Sequence, residues 1–147
     1  MKRIATLVAL SIVVSGSALA GIAMGTPLVS GEVATLEDRH ETSRKDLSQA
    51  QLQELSEWLV QHKSGWHEMI TGASSEPTVL AFSLKDATGK TGSIAVVVRT
   101  NGSHYLRFNS SSQRWSYRSF GGLFKSWAAM RALSAGELDQ LLRMAGH

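Results

Sequence analysis

The fold is decided by residues 78–119, which read TVLAFSLKDATGKTGSIAVVVRTNGSHYLRFNSSSQRWSYRS. Runs rich in β-branched or aromatic residues, separated by turn residues, predict four strands: Thr78–Lys85, Ser93–Arg99, His104–Asn109 and Arg114–Ser119. Asn101 and Gly102 both tolerate the positive φ of a type I′ turn and predict a hairpin between the second and third strands. This part of the chain therefore predicts a four-stranded antiparallel meander.

The same helix-start pattern stands on both sides of these strands. Ser48 with Gln51 before them, and Ser134 with Glu137 after them, have the spacing of a capping box. Leucines at helical spacing follow each cap, so we predict a first helix over about Gln49–His62 and a second at the end of the chain. The predicted fold class is α+β: an N-terminal signal peptide, then a helix, a four-stranded antiparallel meander and a C-terminal helix packed on one sheet face.

The first twenty residues have the pattern of a secretory signal peptide. A basic start is followed by an apolar run over Ile4–Val14 and by a small-residue cleavage site ending at Ala20. We predict cleavage near Ala20, a periplasmic or secreted location in a bacterium, and no integral membrane span after cleavage. An uncleaved anchor is the alternative, because mild hydrophobicity continues to Met24. The chain has no cysteine, which suits an oxidising compartment.

Residues 21–46 carry Gly, Pro and charged residues without sustained periodicity. This composition is typical of a flexible or loosely packed arm, with a short helix over Val33–His40 as a possible addition. We therefore divide the chain into a signal peptide at 1–20, an arm at 21–46 and a single α+β domain at 47–147. Within the domain, residues 121–132 are predicted to be an irregular connection or a short extra element.

Strand alternation divides the predicted sheet into two faces. The face expected to meet the helices carries Leu80, Phe82, Leu84, Ile94, Val96, Val98, Leu106, Phe108, Trp115 and Tyr117. The opposite face, expected to be open, basic and partly apolar, carries Val79, Ala81, Lys85, Ala95, Val97, Arg99, Tyr105, Arg107, Arg114, Ser116 and Arg118.

Charge is distributed unevenly along the chain. The formal net charge is +3, and loss of Lys2 and Arg3 with the signal peptide leaves +1. Residues 28–76 hold nine acids against four bases, whereas residues 77–147 hold three acids against nine bases. A basic field attracts anionic partners, and arginine suits bidentate contacts with carboxylate or phosphate. The second half of the chain is therefore the better place to seek a binding surface.

The candidate binding residues are Arg99, Tyr105, Arg107, Arg114 and Arg118 on the basic face, with Trp58 and Trp66 near the end of the first helix. The tryptophans suit stacking on sugar rings or filling a partner's cleft, and core or rim packing is the other interpretation. The basic face also has two structural alternatives. It is either an ordinary solvated face, or the acidic residues of the arm fold back over it and make the charge polarity internal.

Catalytic and metal-binding patterns are incomplete. Ser64 lies near His62 and His67, which suggests a nucleophile and a base, but the sequence places no acid to orient either histidine. The histidine spacings miss the i, i+4 pattern of two metal ligands on one helix, and there is no glycine-rich phosphate loop. We therefore expect no catalytic residue, no metal and no cofactor. An exported location also argues against nucleic acid as a partner.

The sequence thus predicts a small exported binding module that engages an acidic protein or an envelope glycan through its basic, aromatic sheet face. Its organisation is similar to that of periplasmic inhibitor and immunity proteins, at the level of the fold alone. One alternative is a small hydrolase or cell-wall-processing enzyme that uses Ser64 with His62 or His67. Another is a structural envelope protein. The sequence indicates no oligomeric state.

Overall fold

The computed structural model describes residues 21–23, 27–68, 76–109, 116–119, 124–126 and 128–147. In chain order, the elements are β1 (Gly21–Ala23), β2 (Leu28–Glu37), β3 (His40–Asp46), α1 (Gln49–Gln61), β4 (Trp66–Glu68), β5 (Thr78–Asp86), β6 (Thr91–Val98), β7 (His104–Asn109), β8 (Ser116–Ser119), β9 (Phe124–Ser126), β10 (Ala128–Leu133) and α2 (Ala135–Met144). Seven strands form an antiparallel sheet in the order β3-β2-β5-β6-β7-β10-β4, and the other three form a separate sheet in the order β1-β8-β9. Within the described ranges, no helix is both long and apolar enough to cross a membrane.

The predicted four-stranded meander is wrong. Strands β5, β6 and β7 pair consecutively as expected, but the fourth predicted strand, β8, pairs with β1 and β9 instead of β7. The other neighbour of β7 is β10, which overlaps residues 121–132, the segment predicted as an irregular connection or a short extra element. Strand β10 reads AAMRAL, a sequence with high intrinsic helix propensity. Pairing with two neighbouring strands overrides that propensity, because strand formation depends on packing context more than on residue type.

The predicted arm is also wrong for residues 28–46, which form β2 and β3. Strand β2 pairs with β3 on one side and with β5 on the other, so this hairpin extends the main sheet. Asp38 and Arg39 both have positive φ, 47° and 68°, as the two central residues of a type I′ turn do. The short helix predicted over Val33–His40 is therefore absent from this part of the structure.

Gly31 shows why the hairpin looked like a flexible arm in the sequence. A Cβ atom built on Gly31 would lie 2.7 Å from Leu84 Cδ2 and 3.1 Å from the Ser83 carbonyl oxygen. Gly31 therefore permits the close approach of β2 to β5. Glycine within a strand often marks such a close approach of two backbones.

Both predicted helix starts are confirmed. Ser48 Oγ accepts the backbone N–H of Gln51, and the Gln51 side chain accepts the backbone N–H of Ser48 at 2.8 Å. Ser134 and Glu137 form the same reciprocal pair at the start of α2. Helix α1 ends at Gln61, with His62 as its C-cap.

The main hydrophobic core lies between the two helices and one face of the seven-stranded sheet. Buried residues of β5, β6 and β7 on this face are Leu80, Phe82, Leu84, Ile94, Val96, Leu106 and Phe108, all as predicted. Val98 is half-buried, and the side chains of Trp115 and Tyr117 lie outside the described residues. Val79 was assigned to the opposite face, but a register shift between Thr78 and Leu80 lets it pack against this core.

The predicted hairpin between β6 and β7 is confirmed, but its turn differs from type I′. Gly102 has a φ of 82°, whereas Asn101 does not have positive φ. The N–H of Gly102 donates to the Arg99 carbonyl at 2.9 Å, and the N–H of Arg99 donates to the Ser103 carbonyl at 2.8 Å. This is a three-residue loop that ends in a left-handed glycine. Arg99 directly follows β6 and precedes this loop.

Candidate functional site

The face of the seven-stranded sheet that lies opposite α1 and α2 is here called the helix-free face. The strand registers place Ala95 opposite Arg107, Val97 opposite Tyr105, and Ala81 opposite Ala95. Its members on β5, β6 and β7 are Ala81, Ser83, Lys85, Thr91, Ser93, Ala95, Val97, Tyr105, Arg107 and Asn109. The predicted binding residues Tyr105 and Arg107 therefore share one face, and Arg99 joins them through its contact with Tyr105.

The middle of the helix-free face is a second, smaller hydrophobic cluster. Val97 is 0% exposed and Tyr105 is 2% exposed, and both pack with Ala95 and Met130. The Tyr105 hydroxyl donates to Glu76 Oε1 at 3.4 Å. The expectation of an exposed Tyr105 is therefore wrong, because the residue is a buried support for its neighbours.

Arg99 and Arg107 are half-buried on this face and make few polar contacts. The Arg99 guanidinium lies 4.9 Å from the centre of the Tyr105 ring. Arg107 Nη2 donates to Thr78 Oγ1 at 3.4 Å, the long end of the hydrogen-bond range. Among the residues that the structure describes, neither arginine forms an ion pair with a carboxylate. Among the described residues, the hydrogen bond to Thr78 uses one of the five N–H donors of the Arg107 guanidinium.

The acidic residues of the β2–β3 hairpin neutralise a different arginine. Arg44 donates to Glu32 Oε2 at 2.9 Å and to Glu41 Oε2 at 2.7 Å, near the β3 edge of the sheet. Hydrogen bonds from Arg44 lower the pKa of Glu41, and those to Glu41 and Glu32 raise the pKa of Arg44. The acidic segment does fold into the sheet, but among the described residues its ion pairs join Arg44 and do not reach Arg99 or Arg107.

Trp58 and Trp66 are not exposed binding residues. They are 5% and 4% exposed and belong to the main core. Trp58 Nε1 donates to Gln140 Oε1 at 2.8 Å, and Trp66 Nε1 donates to the His62 carbonyl at 2.9 Å. The Trp58 ring also stacks on His62, with 3.9 Å between ring centres. The packing interpretation is therefore the right one for both tryptophans.

His62 is enclosed by a polar cluster at the end of α1. Its Nδ1 donates to the Trp58 carbonyl at 2.6 Å, and its Nε2 lies 3.5 Å from Glu137 Oε1. Arg131 donates to both carboxylate oxygens of Glu137. Hydrogen bonds from Arg131 outweigh partial burial and lower the pKa of Glu137 to about 2.

The hypothesis of a nucleophile at Ser64 gains no geometric support. Both nitrogens of His62 face other groups, and Ser64 contributes its backbone carbonyl, which accepts Arg131 Nε at 2.9 Å. His67 pairs with Met130 on the helix-free face, whereas Trp66 beside it packs in the main core. Within the described residues, Ser64 forms no hydrogen bond with either histidine.

Two predicted arginines are not placed beside the others. Arg114 lies outside the described residues. Arg118 is in β8, where its backbone pairs with Gly21 and Lys125 in the three-stranded sheet. The expectation that Arg118 shares a sheet with Arg107 is therefore wrong, because β10 occupies the position next to β7 that was predicted for β8.

A polar groove of about 820 Å³ lies at one end of the seven-stranded sheet. One row of its lining residues crosses five strands, with each residue paired to the next: Asp46, Glu32, Ser83, Ser93 and Asn109. Lys85 and Thr91 form part of the adjacent row. Sequence reasoning missed this groove because Glu32 and Asp46 were assigned to the arm. Alternation alone does place Ser83, Ser93 and Asn109 on one face.

No protein-family model, curated protein or solved structure matches this chain in comparisons with known proteins.

Proposed function

We propose that this protein is a small, non-catalytic binding module that is exported and engages an anionic partner, an acidic protein or an envelope glycan, through the helix-free face. Export rests on the signal-peptide pattern of residues 1–20. The proposal of binding rests on Arg99 and Arg107, which form no ion pair among the described residues of that face.

The observation that carries the proposal is the contrast between two pairs of arginines. Arg44 and Arg131 each form an ion pair with a glutamate of this chain. Arg99 and Arg107 share one face and form no such pair among the described residues. A half-buried guanidinium without a carboxylate partner among the described residues favours an external anion, because arginine suits bidentate, charge-assisted bonds with carboxylates.

The surroundings of these arginines favour binding for a second reason. Arg107 is on β7, which pairs on both sides, with β6 and β10. Arg99 lies against Tyr105, whose ring is held in the buried cluster. Side chains that are held by packing lose less conformational freedom on binding, so more of the contact energy appears as affinity.

The test uses the chain from Gly21 to His147 and two soluble anionic probes, a polyglutamate peptide and a tetramer of galacturonic acid. We expect the double variant Arg99→Gln/Arg107→Gln to bind at least one of these probes about tenfold more weakly than the wild type in low salt. Arg143→Gln is the matched control, because Arg143 is an exposed cation on α2. Equal affinity of the double variant and the wild type for every probe that binds would overturn the proposal, as would no binding of either probe.

A further inference from the structure

The polar groove is lined by the small side chains of Ser83 and Ser93, here called its floor, and by longer polar side chains, here called its rim. The apolar residues of its lining are Val29, Leu47, Leu52 and Leu84. Ser83 and Ser93 lie directly opposite each other on β5 and β6. Lys85, Asn109 and Asp46 are exposed around them.

Arg107 is not among the described residues that line the groove, but it lies near one end of the groove. Asn109 lines the groove, and Arg107 precedes it by two residues on the same face of β7. Two residues of extended strand span about 7 Å. The row from Asp46 to Asn109 crosses four inter-strand spacings, roughly 19 Å. A ligand chain that lies in the groove therefore reaches Arg107 at one end.

We infer that the anionic partner is an acidic glycan whose sugar units lie in this groove and whose carboxylate groups pair with Lys85 and Arg107. This inference rests on the proposed function and names its ligand class. Hydroxyl, amide and carboxylate side chains all exchange hydrogen bonds with sugar hydroxyls, and the groove supplies each type, in Ser83, Asn109 and Asp46. Its volume lies within the range of small-molecule sites.

The same surface suits a protein partner less well. Protein interfaces concentrate binding energy in aromatic, methionine and arginine anchors at a desolvated centre. Of the residues that the structure describes, no aromatic residue or methionine lines the groove. Among the described residues, the large hydrophobic side chains that are exposed are Val29, on the groove wall, and Val60, on α1.

The two carboxylates in the groove are compatible with an acidic glycan. Glu32 is already bonded to Arg44 at 2.9 Å, and Arg44 is shared with Glu41, so the charge of Glu32 is partly compensated within the chain. Asp46 stands at the end of the row that is farthest from Arg107, where it accepts hydrogen bonds from uncharged sugar hydroxyls. Asp46 and Arg107 are thus at opposite ends of this region, whereas Lys85 lies on β5, next to the strand that carries Glu32.

The experiment measures binding by titration calorimetry with three probes: the galacturonic acid tetramer, the uncharged tetramer of glucose known as cellotetraose, and the polyglutamate peptide. Ser83→Leu fills the floor of the groove from an exposed position. Asn109→Ala removes a rim amide without adding bulk, and serves if Ser83→Leu fails to fold. Ser43→Leu is the matched control, because Ser43 is an exposed strand serine that does not line the groove.

We expect Ser83→Leu to bind the galacturonic acid tetramer at least tenfold more weakly than the wild type, and Asn109→Ala to bind it several-fold more weakly. Ser43→Leu should bind it unchanged, and the polyglutamate peptide should bind more weakly than the tetramer. Unchanged tetramer binding in Ser83→Leu and Asn109→Ala would overturn the inference. If Arg99→Gln/Arg107→Gln still lost binding of the polyglutamate peptide, the proposed function would stand and only the inference about the groove would fail. Cellotetraose binding that depends on Ser83 but not on the arginines would also overturn the inference, because the ligand would then need no carboxylate groups.

Discussion

Arg131 and Glu137 form a bidentate pair across the junction between β10 and α2, with Nη1 to Oε2 at 3.0 Å and Nη2 to Oε1 at 2.9 Å. The same carboxylate accepts the backbone N–H of Ser134 at 2.9 Å and so completes the capping box of α2. Arg131 Nε also donates to the Ser64 carbonyl at 2.9 Å. One strand residue therefore connects the start of α2 with the segment that follows α1.

Glu137→Gln should lower the free energy of unfolding by about 2 kcal/mol at pH 7. Glutamine retains an oxygen for the capping box but leaves the poorly exposed Arg131 guanidinium without its counter-charge. Urea unfolding measures the change. Asp139→Asn, an exposed substitution on the same helix, is the control and should change the free energy by less than about 0.5 kcal/mol. Equal effects of the two substitutions would contradict the assigned role of the pair.

The stability that Glu137 provides should depend on acid pH. Its pKa in the folded protein is about 2, below the ordinary value of 4.5, so its contribution is fully present above pH 4.5 and is lost as the pH falls toward 2. The full contribution corresponds to roughly 3 kcal/mol at most. The difference between wild type and Glu137→Gln in urea unfolding should therefore shrink from pH 7 to pH 2.5. A constant difference over that range would show that the pKa is not lowered.

Removal of either capping hydroxyl should destabilise the protein to a similar extent. Ser48→Ala and Ser134→Ala each leave a helix N–H without its acceptor, at a cost of about 1 kcal/mol. Ser43→Ala, at an exposed position in β3, is the control. Neutral effects of both cap substitutions in urea melts would argue against these helix starts.

Gly31→Ala should lower the free energy of unfolding by about 1 to 3 kcal/mol, because the added methyl group collides with Leu84 and with the backbone of β5. Gly136→Ala is the matched control. A Cβ atom at Gly136 meets nothing within 4 Å, so alanine there should be neutral or stabilising in helix α2. A neutral Gly31→Ala would mean that β2 does not pack closely on β5, and that residues 28–46 resemble the predicted arm.

The elements that sequence reasoning predicted well are those fixed by neighbouring residues. Both capping boxes depend on side chains three residues apart, and the hydrophobic alternation of β5, β6 and β7 lies within each strand. The main core could therefore be predicted in large part. The type of turn after Arg99 could not be predicted. Whether Gly102 alone or both Asn101 and Gly102 adopt a left-handed backbone depends on the register of the two strands.

The elements that were missed depend on contacts far apart in the chain. Strand β10 has helix-favouring residues and becomes a strand only between β7 and β4. Strand β2 becomes part of the sheet by pairing with β5, about fifty residues later. Of the candidate site, Arg99, Tyr105 and Arg107 were placed together correctly by alternation, whereas the burial of Tyr105, Trp58 and Trp66 was set by tertiary packing that no local pattern reveals.

The most direct test of the account measures binding and stability together in Arg107→Glu, with Arg143→Glu as the control. We predict that Arg107→Glu binds the galacturonic acid tetramer at least about tenfold more weakly than the wild type in low salt. Its free energy of unfolding should stay within about 0.5 kcal/mol of the wild-type value. Arg143→Glu should leave both quantities nearly unchanged. Tetramer binding by Arg107→Glu as tight as that of the wild type would contradict the account, and so would unfolding of this variant, because Arg107 would then be an internal structural cation.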